Sequence, residues 1–300
     1  MWIRRSYDQR LQRLARQRPV ILLTGARQTG KTSLLKHLFP DHAYVSLDLP
    51  SEAEEAERNP SSFLERHGTP LIIDEVQYAP SLFRYLKAAV DARRQLKGQY
   101  LLTGSQKFTL MKGISESLAG RVEVLELETL SLSEIRGAQP DLGLTEAIVR
   151  GGYPELHEER GLDQRSFYRS YVATYLERDL RSLLNVSSLR DFERFLRACA
   201  LRSGQLLNKA DLGRDVGISA STANQWISTL CASNLVLLLE PWFVNRSKSI
   251  TKSPKIYFAD TGLLLYLLNI QSVEELERSP LLGSIWETFV FAELRKMEER

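Results

Sequence analysis

Cysteine is nearly absent from this chain: 300 residues hold only Cys199 and Cys231, far apart in sequence. That excludes a disulfide-stapled scaffold and points to a reducing, cytoplasmic setting. Histidine is scarce as well. His37, His42, His67 and His157 are dispersed and share no metal-ligand spacing with one another or with the cysteines, so structural zinc is set aside. No apolar run approaches the ~18 residues that cross a bilayer, and no membrane association is expected. A G-x-S-x-G nucleophile elbow is also missing. Neither sign of charge dominates: 40 Lys and Arg against 37 Asp and Glu leave a formal net charge of +3, which alone does not argue for nucleic acid. With 43% apolar and 26% charged residues the composition is that of an ordinary globular chain. Its length leaves room for roughly two or three domains.

What is present begins with Gly25-Ala26-Arg27-Gln28-Thr29-Gly30-Lys31-Thr32, the pattern G-x-x-x-x-G-K-T, directly after the apolar run Val20-Ile21-Leu22-Leu23. Glycines let backbone N–H groups turn inward around phosphate oxygens, and the helix that follows aims its positive N-terminus at the same place. The residues from Gly25 to Ser33 are therefore expected to hold ATP. Lys31 can reach the β- and γ-phosphates, and the Thr32 hydroxyl can ligate Mg²⁺.

A second segment, Pro70-Leu71-Ile72-Ile73-Asp74-Glu75, is a short apolar run closed by two carboxylates. A parallel strand buried on both faces reads this way, and its C-terminal end is where such sheets hold ligands. Asp74 is expected to hold Mg²⁺ through water, with Glu75 as the base that polarises the attacking water. Taken alone, the pair could equally cap the next helix.

Along the chain, strands are expected at 43–47, 99–103 and 122–127 besides the two above, with helices at 31–38 and 82–94. Strands alternating with helices imply an α/β fold with a mostly parallel sheet. Ser105, after the strand Gln99–Thr103, is placed to contact the γ-phosphate or the attacking water, or to cap a helix, and it can do both. Arg121 falls between a helix and the last core strand. There it can reach a neighbouring subunit's nucleotide in a homo-oligomer, or simply sit at a helix C-terminus. The N-terminal arginines (Arg4, Arg5, Arg10, Arg13, Arg16, Arg18) could mark a transit peptide. Tyr7, Leu11 and Leu14 instead favour a helix packed on the first domain, with its basic face solvated.

Residues 130–186 read as a helical lid interrupted by Gly151-Gly152-Tyr153-Pro154, a stiff turn suited to covering an adenine base. Arg178, Asp179 and Arg181 lie on the polar side of its last helix. Between 187 and 255 the spacing is that of a winged helix-turn-helix: Ala210, Leu212 and Val216, the turn Gly217-Ile218-Ser219, then Ala223, Trp226, Ile227 and Leu230. Strands at 235–239 and 242–244 would form the wing. Ser221, Thr222, Asn224, Gln225 and Ser228 face outward, and Arg246, Lys248, Lys252 and Lys255 supply the positive charge that DNA contact needs. Winged helices also serve as protein-interaction modules. Residues 256–300 read as the start of a further domain.

Several segments together resemble the AAA-type P-loop ATPases of prokaryotes that carry a C-terminal domain of unknown function. They are Gly25 to Leu35, Ser46-Leu47-Asp48, Ile73 to Gln77, Leu101 to Ser105, Glu116 to Arg121, Gly151 to Glu155, Tyr257 to Leu263 and Glu287 to Leu294. The resemblance implies an additional-strand, AAA-like core over 1–129, a helical lid, a winged helix, and ATP hydrolysis with Mg²⁺. The family's final part looks like a restriction-endonuclease-type fold. Only its first helix, with Glu287, is matched here, so nuclease chemistry is not expected. The usual proline of the phosphate loop is Ala26. The expectation is an ATPase whose nucleotide state drives a switch acting on DNA or a protein partner. The rival reading is a DNA-binding regulator that binds nucleotide and hardly hydrolyses it.

Overall fold

The computed structural model describes residues 2–105, 110, 114, 117–159, 161–175, 189–242 and 252–298. The chain divides into two compact units, one over Arg4–Glu128 and one over Thr129–Glu298 with Met1–Ile3.

In the first unit, helix α1 (Asp8–Ala15) precedes strand β1 (Val20–Thr24) and helix α2 (Lys31–Leu38). Next come β2 (Ala43–Ser46), α3 (Pro50–Arg58), α4 (Pro60–His67), β3 (Leu71–Asp74), α5 (Leu82–Ala92), β4 (Tyr100–Gly104) and β5 (Val122–Glu126). The five strands form one parallel sheet in the order β2-β3-β4-β1-β5. Every residue of β1, β3 and β4 is buried, as runs such as Val-Ile-Leu-Leu require of strands covered on both faces. Side chains alternate between those faces. Val20, Leu22, Leu71, Ile73 and Leu102 meet Phe63 of α4 and Phe83 and Leu86 of α5. Ile21, Leu23, Ile72 and Leu101 meet Leu11 of α1 and Leu34 and Leu35 of α2. Each such side chain, fully buried, contributes ~1.5–3 kcal/mol. In space β4 lies between β1 and β3, so the ends of three strands converge on the phosphate loop.

The second unit begins with α6 (Leu132–Ala138), α7 (Leu144–Arg150), α8 (Pro154–Glu158) and α9 (Gln164–Tyr175). After it come α10 (Leu189–Ala200), β6 (Gln205–Leu206), α11 (Lys209–Val216), α12 (Ala220–Ala232), β7 (Val236–Leu239) and β8 (Lys255–Phe258). Helices α13 (Thr261–Leu267), α14 (Val273–Glu277) and α15 (Leu282–Glu298) complete it. Asn208 caps α11, Gly217 leaves it in the left-handed region at φ 87°, and Ser219 caps α12 through the Thr222 N–H. Among the described residues the partner of β7 is β8; of the expected second wing strand, 242–244, only Trp242 is described. Val236 to Leu239 pair antiparallel with Phe258 to Lys255, and Trp242 is 84% exposed. The long register reaches across the expected border at residue 255. Residues 243–251, with Arg246 and Lys248, lie outside the described residues, as do Arg178, Asp179 and Arg181. Lys252 is exposed. One apolar cluster spans residues from Ile148 to Ile285, and α15 is tied to residues before α6 by a bond from Lys296 Nζ to the Leu130 carbonyl at 2.9 Å.

The Gly151-Gly152-Tyr153-Pro154 turn is a core feature rather than a cover for adenine. Tyr153 is buried and its ring packs against Phe167, Tyr168 and Tyr171. The Gly152 N–H donates to Asp260 Oδ2 at 2.7 Å, and Asp260 Oδ1 accepts from Tyr168 Oη and from the Leu263 N–H, both at 2.9 Å. Gly151 has φ 78°, and a Cβ there would lie 2.2 Å from Tyr168 Oη and 2.5 Å from Asp260 Oδ1. The aspartate of Asp260-Thr261-Gly262 thus caps α13 and anchors the glycine turn.

Gly151→Ala is expected to destabilise this unit by at least ~1–3 kcal/mol, through overpacking and a left-handed backbone. Gly137→Ala, in α6 with nothing within 4 Å of the new methyl, should be neutral or stabilising by up to ~1 kcal/mol. Denaturant titrations of the two variants beside the native protein check the contrast.

Candidate functional site

The loop between β1 and α2 is built by backbone freedom. Gly25 has φ 141° and lies so close to the chain after β5 that a Cβ would sit 2.3 Å from the Leu127 carbonyl oxygen. Gln28 and Gly30 are also at positive φ, 59° and 87°. The buried Thr29 hydroxyl closes the loop by donating to the Ala26 carbonyl at 3.0 Å. Lys31, 6% exposed, donates from Nζ to the Ala26 carbonyl at 2.7 Å and the Gly25 carbonyl at 3.1 Å. Its ammonium is therefore folded back into the loop, where the N-terminus of α2 already favours anions. Ala26 is buried, Arg27 half-buried, and Gln28 and Ser33 are exposed.

Asp74 ends β3 and is 7% exposed. A carboxylate so enclosed needs donors, and it has them. Thr32 Oγ1 donates to Asp74 Oδ1 at 2.6 Å, Thr103 Oγ1 donates to the same oxygen, and Tyr44 Oη donates to Oδ2 at 3.2 Å. The Tyr44 phenol is pushed up in pKa, first by burial and then by the Asp74 charge. Thr32 and Asp74 offer the hard oxygen donors that Mg²⁺ takes. Among the described residues no group of three or more His, Cys, Asp and Glu stands together as a metal site.

Glu75 follows in the left-handed region at φ 55°, a conformation uncommon for a non-glycine residue and concentrated at functional sites. Its N–H donates to Thr103 Oγ1 at 3.1 Å. Its carboxylate Oε2 accepts from Ser105 Oγ at 3.3 Å and from the buried Gln77 amide. Glu75, Ser105, Asp74 and Thr32 are thus linked through bonded neighbours, with Lys31 beside Thr32 in the chain.

Arg121 stands elsewhere. It forms a two-pronged pair with Asp91 of α5, Nε to Oδ1 at 2.8 Å and a terminal nitrogen to Oδ2 at 2.9 Å, which holds the Asp91 carboxyl below its ordinary pKa.

Thr103, Tyr44, Gln77 and Arg5 escaped the sequence reading. Thr103 lies in the Leu-Leu-Thr-Gly-Ser run, where its position two before Ser105 is the available signal. Arg5, grouped above with solvated arginines, is 5% exposed and donates to the Thr29 carbonyl at 2.9 Å and the Glu128 carbonyl at 2.6 Å. Nothing in its spacing separates it from its basic neighbours.

A family model described as an AAA domain matches residues 17–136, and one described as a domain of unknown function (DUF8612) matches residues 142–274. Uncharacterized proteins of Mycobacterium tuberculosis and Mycobacterium bovis are each 36% identical to the chain over 294 residues, covering 97% of it. The chain spans 65% of the length of these relatives. Among solved structures, a signal-transduction ATPase with a tetratricopeptide repeat sensor from Pyrococcus horikoshii aligns at TM-score 0.36 and 13% identity, over 98% of this chain and 45% of that one. A DNA polymerase III gamma subunit-related protein of Thermotoga maritima aligns at TM-score 0.35 and 14% identity, over 97% and 100%. No helix among the described residues is long and apolar enough to cross a membrane. The chain is thus similar to AAA domains over residues 17–136 and to a domain of unknown function over residues 142–274.

Proposed function

We propose that this protein hydrolyses ATP to ADP and phosphate and uses the cycle as a conformational switch acting on a macromolecular partner. The observation that carries the reading is the 2.6 Å bond between Thr32 and Asp74, with the Glu75 carboxylate next in the chain and tethered by Ser105.

In this reading the main-chain N–H groups from Gly25 to Ser33 receive the phosphates, and Lys31 exchanges its loop carbonyls for phosphate oxygens. Thr32 and Asp74 hold Mg²⁺, which when bound neutralises charge on the phosphate oxygens. Both described bonds to the Glu75 carboxylate fall on Oε2, so we assign Oε1 to accept the proton of the attacking water. Ser105 keeps that carboxylate in place and stands within reach of the same water. Phosphoryl transfer needs mainly positioning and charge stabilisation, so turnover without a partner is expected to be slow.

Arg121 enters the reading only in an oligomer. To serve a neighbouring subunit's nucleotide it must leave Asp91, so the pair would be a resting state. For the partner, DNA has one specific observation behind it. Ser221, Asn224, Gln225 and Ser228 are exposed along α12, behind the tight turn from α11, with the β7–β8 hairpin and exposed Lys252 nearby in sequence. That pattern supports reading the segment as a winged helix.

Lys31→Ala is expected to abolish binding of a fluorescent ATP analogue. Glu75→Gln should bind it normally and slow single-turnover hydrolysis by ~10²–10⁴-fold; equal rates would remove Glu75 from the chemistry. Arg121→Ala should retain ATP binding and lose hydrolysis, alongside an ATP-induced increase in solution mass of the native protein; a monomer throughout excludes the trans role. Binding to duplex DNA should weaken steeply from 50 to 200 mM salt if α12 and the hairpin contact phosphates. DNA binding that is absent at low salt with and without ATP leaves a protein partner.

A further inference from the structure

Asp74 is held from a side that a phosphate-binding loop does not supply. Tyr44 belongs to β2, the edge strand next to β3, and pairs in register with Ile72. A half-exposed tyrosine on an edge strand ordinarily leaves its hydroxyl in water. Here the hydroxyl turns to Asp74 Oδ2 at 3.2 Å, while the donors from α2 and β4, Thr32 and Thr103, both act on Oδ1. Tyr44 is itself fixed: the Lys36 ammonium lies 4.2 Å from its ring centroid. Lys36 is one turn beyond Thr32 on α2, so the helix that presents Thr32 also steadies the ring that reaches Asp74.

We propose that Tyr44 is a positioning residue for the magnesium-holding carboxylate, fixing the plane in which Asp74 faces the metal. The proposal rests on the site reading above and assigns to it a residue outside both loop motifs. A carboxylate turns easily about its last torsion, which is broad and roughly two-fold. Bonds to both oxygens remove that freedom. Without metal, Asp74 has donors from Thr32, Thr103 and Tyr44, and losing one leaves two. A hydroxyl can ligate Mg²⁺ through a lone pair and still donate its proton, so Thr32 and Thr103 both stay on Oδ1, and among the described bonds the phenol is the one on Oδ2. Removing the phenol hydroxyl frees the carboxylate to turn, which costs more in the magnesium-bound state, where one orientation is required, than in the free one.

Tyr44→Phe isolates this effect, because it keeps the ring and the Lys36 contact and deletes one oxygen. The measurement is binding of a fluorescent non-hydrolysable ATP analogue (mant-AMPPNP), first in EDTA and then as MgCl₂ is titrated. In EDTA the variant should bind within about twofold of the native protein. The MgCl₂ concentration for half-maximal enhancement should rise about threefold to tenfold, the range of one net hydrogen bond. An unchanged or lowered magnesium midpoint overturns the proposal. So does an equal loss of affinity with and without magnesium, or a clear fall in melting temperature in EDTA, each of which marks a merely structural role. A native protein whose analogue binding ignores magnesium would instead sink the underlying site reading, so the two failures are told apart.

Discussion

The hydrogen bond from Thr32 to Asp74 is the constraint on which the rest of the site depends. It joins the first turn of α2 to the end of β3 although β4 lies between β3 and β1 in the sheet. The bond can form because β1, β3 and β4 are buried throughout and stand in strict register, so their C-terminal ends stop at one level. A sheet slipped by one residue would turn Asp74 to the opposite face, since strand side chains alternate. The apolar packing on both faces therefore serves the polar chemistry at the edge.

That edge concentrates charge in a nearly dry setting. Lys31 and Asp74 are both almost inaccessible, and each is satisfied by oxygens or hydroxyls of its own chain. The ammonium lies on loop carbonyls and the carboxylate on hydroxyl donors. Such groups are costly to bury without partners, and the charge on each strengthens the bonds that hold it. Arg5 adds a fixed contact from outside the motif, gripping the Thr29 carbonyl and so orienting one peptide of the loop.

The second unit follows a different logic. Its glycine-glycine-tyrosine-proline turn and its Asp260-Thr261-Gly262 run have the look of site motifs, yet they answer to packing. Asp260 satisfies the Gly152 N–H, the Tyr168 hydroxyl and the N-terminus of α13 at once, and the glycines leave room for that crowding. A sequence pattern so restrictive can arise from steric necessity alone, which is why Tyr153 reads as a ligand cover in the sequence and proves to be core.

The sequence by itself determined the phosphate loop, the two carboxylates and the alternation of strands and helices. Glycine at positive φ, a buried apolar run and a terminal Asp-Glu are local properties that need no partner from afar. Only the tertiary structure decided that β4 separates β1 from β3, that Tyr44 and Thr103 reach Asp74, that Gln77 and Ser105 hold Glu75, and that Arg121 rests on Asp91. It also decided that β7 pairs with residues beyond a long connection. These contacts join residues set by strand order and by the direction of single side chains, and the linear pattern carries neither.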